Sequence, residues 1–453
     1  MLSSNHFSLY IFILGALPVK RDIIVCNEVQ RTKNLNKINF DGHIDNLARR
    51  YHHGTRMNIL TQIQAMVKSP NADHHTNVTV IQGQAGIGKS VLAAIVCKMV
   101  ERKRKLAACH FLQQFNTLRN IPKMMFESLA SQLCETIPGF QKQLEQSLQR
   151  IEEQEVSKMN NRELFEVFLE DPLNSCNPPR NGNYMIVIDA LDECEPNEKK
   201  ELISALFNLN GGLSSLPKWI KILITSRPTR EELPRIPYVK IVTINPEDPE
   251  NMTDVKNYLE NGLQHIYPNA DEKDITLCVN QLADEADALF LFAYFVLDIA
   301  KTKQMELFQV PKIFPKGISL VYEEYFSRLQ KELNIDEENF FDFLEAISAA
   351  QGPLPEALVL RILGFDETSR TARKLAQLAL NHISVLLPVH DGHVTVFHKS
   401  VLDWILGKNE VDDDIPLAFK RAGMFQDHSF SVRAKDGHGI LAKCCVELQN
   451  NVK

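Results

Sequence analysis

Eight consecutive residues, Gly83-Gln84-Ala85-Gly86-Ile87-Gly88-Lys89-Ser90, carry the strongest chemical signal in the chain. Their spacing, G-x-x-x-x-G-K-[ST], is that of a loop built to cradle a phosphate. Its glycines let backbone N–H groups turn inward around the anion, and the helix that follows points its positive end at it. In such a loop Lys89 reaches the β- and γ-phosphates and the Ser90 hydroxyl ligates Mg²⁺.

A second signal, Asp189-Ala190-Leu191-Asp192-Glu193, lies about a hundred residues downstream. Asp189 can hold the Mg²⁺ shell, and an acid a few residues on, Asp192 or Glu193, can polarise an attacking water. A third is Ser226-Arg227-Pro228, where Arg227 can sense a γ-phosphate. The competing reading of that tripeptide is a turn set by Pro228 with a solvated arginine.

Each of these groups has to be delivered by a scaffold. Residues 78–82 are β-branched and apolar, as a buried parallel strand should be, and residues 91–96 suit a helix with a buried face. The second and third signals follow two more apolar runs, 184–188 and 219–225, and further strands are expected at 106–111 and 239–244. Strands separated by helices predict an α/β fold, a doubly wound five-stranded parallel sheet with its ligand at the carboxyl ends. The basic run Glu101-Arg102-Lys103-Arg104-Lys105 falls where cations complement a helix C-terminus, so it needs no nucleic-acid explanation.

At 453 residues the chain is too long for one ordinary core. A composition of 44% hydrophobic and 24% charged residues is that of a globular protein, and a net charge of −7 argues against a nucleic-acid partner held by a basic surface. Nine cysteines without C-x-x-C pairs or zinc spacing read as buried reduced thiols. Residues 7–19 form an apolar run long enough for a signal-peptide core and short for a membrane span. No Lys or Arg precedes it, and the phosphate loop outweighs it, so a cytoplasmic location without membrane attachment is expected.

Residues 21–76 are polar, with one amphipathic candidate at 56–67, whose Met57, Leu60, Ile63 and Val67 repeat at helical spacing. Beyond Pro246 and Pro249 the chain reads as helical, and Ala288-Leu289-Phe290-Leu291-Phe292-Ala293 is core at that length, not a membrane span. Residues 385–389 and 394–397, flanking His390-Asp391-Gly392-His393, predict a β-hairpin. Helices followed by a hairpin suggest a winged helix. His398 ends that hairpin, where a lone histidine is ordinarily structural.

With these motifs assembled, the chain resembles a NACHT-type member of the STAND signalling NTPases, of the nephrocystin-3-like and ankyrin- or WD-repeat-bearing kind found in animals and fungi. The matching positions run from Gly54-Thr55-Arg56 through His110-Phe111 to Phe397-His398-Lys399-Ser400 and Gly437-His438. Ala190, a small residue after the first Asp, followed by the acidic pair Asp192-Glu193, separates this family from ordinary ATPases. The resemblance implies an N-terminal segment at 1–50 that is a candidate for disorder, then a NACHT domain at 51–248. A helical domain at 249–317, a winged helix at 318–410 and a tail at 411–453 leading toward a repeat sensor follow. It also implies ATP over GTP, closure around ADP, opening and self-association with ATP, and His398 on the ADP β-phosphate.

Two departures stand out. Related proteins seat the nucleotide with a Gly and a Pro where this chain has Ala288-Leu289-Phe290-Leu291, and the sequence ends before any repeat array, so the expected sensor is missing, supplied by another chain or lost from this sequence. Three functions compete: a nucleotide-gated switch or scaffold with slow hydrolysis, a conventional remodelling ATPase, and a nucleotide-binding scaffold without significant turnover. The switch is the preferred reading.

Overall fold

The computed structural model describes residues 35–450 apart from 69–76, 114–115, 117–118, 150, 152–155, 157, 181, 209–210, 229–238, 287, 303, 314–317, 351, 366–369, 384–386, 388, 391, 397–398 and 408–428. Five strands form one sheet: β1 Val78–Gly83, β2 Leu106–Phe111, β3 Tyr184–Asp189, β4 Ile220–Ser226 and β5 Val239–Ile244. Their order is β2-β3-β4-β1-β5, and every neighbouring pair is parallel. The expected doubly wound sheet is therefore present. β4 runs one residue beyond its expected end because the ladder with β1 continues to the pair Gln82 and Ser226.

Alternation along the strands explains why both faces are covered. Val80, Ile186, Ile188, Ile222 and Ile224 face one apolar layer, completed by helices Pro122–Thr136, Phe140–Gln149 and Pro196–Leu206. Their neighbours Ile81, Met185, Val187 and Leu223 face the other, against helix Lys89–Glu101 with its buried Leu92, Val96 and Val100. That second layer continues without a break through helices Pro249–Ile266, Glu272–Glu285 and Phe290–Thr302 into the elements beyond residue 318. Phe292 and Val296 are fully buried there, so the apolar stretch at 288–293 is core, as expected. No described helix is long and apolar enough to cross a membrane.

Local expectations met the structure unevenly. The amphipathic candidate forms helix Met57–Lys68 and buries Leu60, Ile63 and Val67, but Met57 stays exposed in the first turn. Helix Asp41–Ala48, preceded by buried Phe40 and resting on Lys89–Glu101 through Ile44, was not legible in the polar stretch around it. The hairpin is tighter than its sequence suggested: β7 Val389–His390 pairs with β8 His393–Val394, with Gly392 at φ 74° in the turn. Glycine adopts that left-handed backbone without a Cβ clash, which lets a short turn replace the longer one. A third strand, β6 Leu354–Pro355, pairs with β8. The apolar run at 7–19 and His398 lie outside the described residues.

Candidate functional site

β1 ends at Gly83, and the loop turns into helix Lys89–Glu101 through two glycines at positive φ, Gly86 at 78° and Gly88 at 94°. A Cβ on Gly86 would also sit 2.9 Å from the Leu291 Cβ, so a side chain there has neither the torsion nor the space. The Lys89 ammonium donates to the carbonyls of Gly83 at 2.8 Å and Gln84 at 2.9 Å. Burial pulls its pKa down to about 8, against the upward pull of the Asp192, Asp189 and Glu193 carboxylates.

Asp189 closes β3 and is buried. Its Oδ1 accepts the Thr225 hydroxyl proton at 2.5 Å, and Thr225 Oγ1 in turn accepts the Ala190 N–H at 2.9 Å. Ser90 also hydrogen-bonds the carboxyl; burial raises its pKa despite these donors and the Lys89 charge. Thr225 and Ser90 thus hold the Asp189 carboxyl between them. A Ser hydroxyl and an Asp oxygen side by side fit Mg²⁺, which is held through one or two protein oxygens plus phosphates and water. No group of three or more His, Cys, Asp or Glu that could hold a metal occurs among the described residues.

The two acids after Asp189 part ways. Ala190 adopts φ 56°, and the turn sends Glu193 to the cavity wall while Asp192 is buried on Arg227. Asp192 Oδ1 accepts the Arg227 backbone N–H at 2.9 Å, and its Oδ2 lies 3.3 Å from Nε. The Arg227 Nη1 donates to Asp403 Oδ2 at 2.8 Å. Burial alone would lower the Arg227 pKa; Asp403, then Asp192 and Glu193, more than reverse this and hold it above the usual arginine range. Arg227 is neither the solvated turn residue nor a cavity-lining one: it is the centre of a carboxylate–guanidinium–carboxylate bridge.

Sequence reasoning missed the clasp beneath the loop. Arg56 Nη2 donates to the Ile87 carbonyl at 2.9 Å and to Asn251 Oδ1, and its guanidinium lies 5.1 Å over the Phe290 ring. Asn251, only 1% exposed, donates onward to the carbonyls of Ala288 at 2.9 Å and Pro246 at 3.1 Å. The Leu291 N–H donates to the Gly86 carbonyl at 3.0 Å. Residues 288–291 are thus tied to the phosphate loop through their backbone. Arg56 within Gly54-Thr55-Arg56 was the available signal; Asn251 and Asp403 offered none.

Above the loop lies a cavity of about 440 Å³, within the range of small-ligand sites. Lys89, Ser90, Asp189 and Glu193 line its polar side. Tyr51, His52, Tyr258 and Tyr294 supply aromatic rings, and Pro353, Leu354 and Val394 close it from the C-terminal elements. Of the expected buried thiols, Cys97, Cys109, Cys194, Cys278 and Cys444 are buried, whereas Cys134 and Cys176 are half-buried.

Residues 54–227 match the family model of the nephrocystin-3 N-terminal region, which covers less than half of the chain. A search of curated proteins returned no match. Among solved structures, a STAND protein with a tetratricopeptide repeat sensor from Pyrococcus horikoshii is 17% identical with a TM-score of 0.40, over 77% of this chain. The chain spans 41% of the length of that protein. A Walker-type ATPase of Pyrococcus abyssi is 14% identical, TM-score 0.36, over 77% of this chain and 94% of its own. Cdc6p from Pyrobaculum aerophilum is 13% identical, TM-score 0.38, over 89% and 98%. The P-loop ATPase fold rests on the order of the sheet, the loop at the end of β1 and Asp189 at the end of β3.

Proposed function

We propose that the chain is a nucleotide-gated switch of the STAND class, binding ATP or ADP with Mg²⁺ and hydrolysing slowly. The observation that carries this reading is the make-up of the cavity: Lys89 and Ser90 from the phosphate loop share it with Pro353, Leu354 and Val394, more than 250 residues away. A nucleotide there touches both parts, so its terminal group can bias how they sit against each other. ADP then favours the closed arrangement, and ATP an open one that self-associates.

In this reading a NACHT-type domain spans 51–248, a helical domain 249–317 and a winged helix 318–410, with 411–453 leading on toward a sensor. Lys89 pairs with the β- and γ-phosphates while the loop N–H groups wrap them. Ser90 and Asp189 hold Mg²⁺, which supplies charge neutralisation at the phosphates. Glu193, at the cavity wall, orients the attacking water, and Arg227 meets the γ-phosphate once released from its carboxylates. His398 contacts the β-phosphate of ADP in the closed state.

The test is to purify the protein, denature it and identify the released nucleotide by chromatography. Stoichiometric ADP from wild type, lost in Lys89→Ala, with ATP enlarging the assembly while turnover stays low, supports the switch. Glu193→Gln should keep the nucleotide and abolish the residual turnover. An empty site with rapid ATP turnover would leave a conventional remodelling ATPase instead.

A further inference from the structure

We propose that Asp403 decides which nucleotide the closed molecule retains, by occupying the Arg227 guanidinium that a terminal phosphate would otherwise take; this rests on the switch reading above. Arg227 stands one residue past Ser226, which pairs with Gln82, so it is level with the first residue of the phosphate loop on the adjacent strand. It is tied down on both sides, to Asp192 at 3.3 Å and to Asp403 at 2.8 Å, with side chains only 17%, 6% and 18% exposed. Asp192 and Arg227 belong to neighbouring strand ends of one sheet, whereas Asp403 comes from helix Lys399–Leu406, 176 residues away in sequence.

The helix that carries Asp403 is anchored by the packing of its next residue. The next residue, Trp404, is fully buried; its Nε1 donates to Ser319 Oγ at 2.8 Å and its ring stacks on Phe326 at 5.4 Å. Carrying Asp403 away with its helix disturbs that aromatic packing, so such a movement is two-state rather than graded. With Asp403 in place, the guanidinium is neutralised twice, and a terminal phosphate arriving at it meets two carboxylates. Like charges at that separation oppose the triphosphate and leave the diphosphate, which lacks that group, unaffected. ATP must then displace Asp403 to reach Arg227, and that displacement opens the molecule.

The experiment uses the full chain stripped of nucleotide and titrated with fluorescent ADP and with a fluorescent non-hydrolysable ATP analogue, each with Mg²⁺. Asp403→Asn should shift the preference toward the triphosphate by roughly 5–150-fold, the size of ordinary coupling between sites, with ADP affinity changing far less. Asp403→Glu should restore the wild-type preference, and Asp403→Asn should add nothing in an Arg227→Gln background. A folded Asp403→Asn variant with unchanged preference overturns the inference and leaves the switch reading intact. Wild-type protein that binds neither nucleotide overturns both. A second measurement needs no variant: amide hydrogen exchange over 399–406 should rise when the triphosphate analogue replaces ADP. Equal exchange in the two states overturns the inference.

Discussion

Lys89 and Arg227 are cations enclosed at the same carboxyl edge of one sheet, and their partners differ in kind. Lys89 is held by the neutral carbonyls of Gly83 and Gln84, and burial draws its pKa down to about 8. Arg227 is held by the Asp192 and Asp403 carboxylates, which push its pKa up. A cation on carbonyl dipoles, with carboxylates near but not bonded to it, is only partly compensated for its desolvation, so it is poised for an anion. A cation between two carboxylates is already satisfied and serves as a joint between segments. The two therefore have opposite effects on stability, and substitution should separate them.

The largest effect is expected for Arg227→Ala, which leaves Asp192 and Asp403 enclosed without their counter-charge. Breaking one side of such a bridge costs about 3–5 kcal/mol, read as a lowered urea midpoint. If the midpoint were unchanged, the bridge would have to be absent in solution. Asn251→Ala comes next: it strands the Arg56 donor and the Ala288 and Pro246 carbonyls. A loss of about 1–3 kcal/mol is expected, with weaker nucleotide binding because Arg56 holds the Ile87 carbonyl.

Lys89→Met should move the other way. It removes a desolvated charge, so the nucleotide-free protein gains about 1–2 kcal/mol while the stabilisation by added ADP disappears; thermal melts with and without ADP check both. The same group also makes stability depend on pH. The folded pKa of about 8 lies below the ordinary lysine value of 10.5, so as pH falls through this window the unfolded chain takes up the proton first. Nucleotide-free stability should therefore decline from about pH 10.5 to about pH 8 and level off below, and the difference between wild type and Lys89→Met should follow that curve. A parallel pair of curves would mean that Lys89 is better solvated than its position indicates.

Several elements were legible for a physical reason. The phosphate loop works through its own backbone, so eight residues of spacing suffice to recognise it, and the apolar strand ending in Asp189 is a local pattern of the same kind. Helix Asp41–Ala48 was not, because only Phe40 and Ile44 of that segment are fully enclosed, with Leu47 at the edge of the core, and the pattern is too sparse to register. β6 is two residues long and exists only because β8 pairs with it. Asp192 and Glu193 look interchangeable as neighbouring acids. The left-handed turn at Ala190 and the placement of Arg227 send one to a guanidinium and the other to the cavity.

Residue order alone thus specified the phosphate-loop motif, the parallel sheet and an Asp at the carboxyl end of β3, since each depends on contacts within a few residues or on strand periodicity. The assignment of Arg227 to Asp403, and of Arg56 to Asn251, waited on the fold. Those partners lie 176 and 195 residues apart, and an isolated Asp or Asn carries no mark of the cation it will meet. Packing decides it: the core that buries Trp404 carries Asp403 to Arg227, and the helix Pro249–Ile266 carries Asn251 to the floor of the loop.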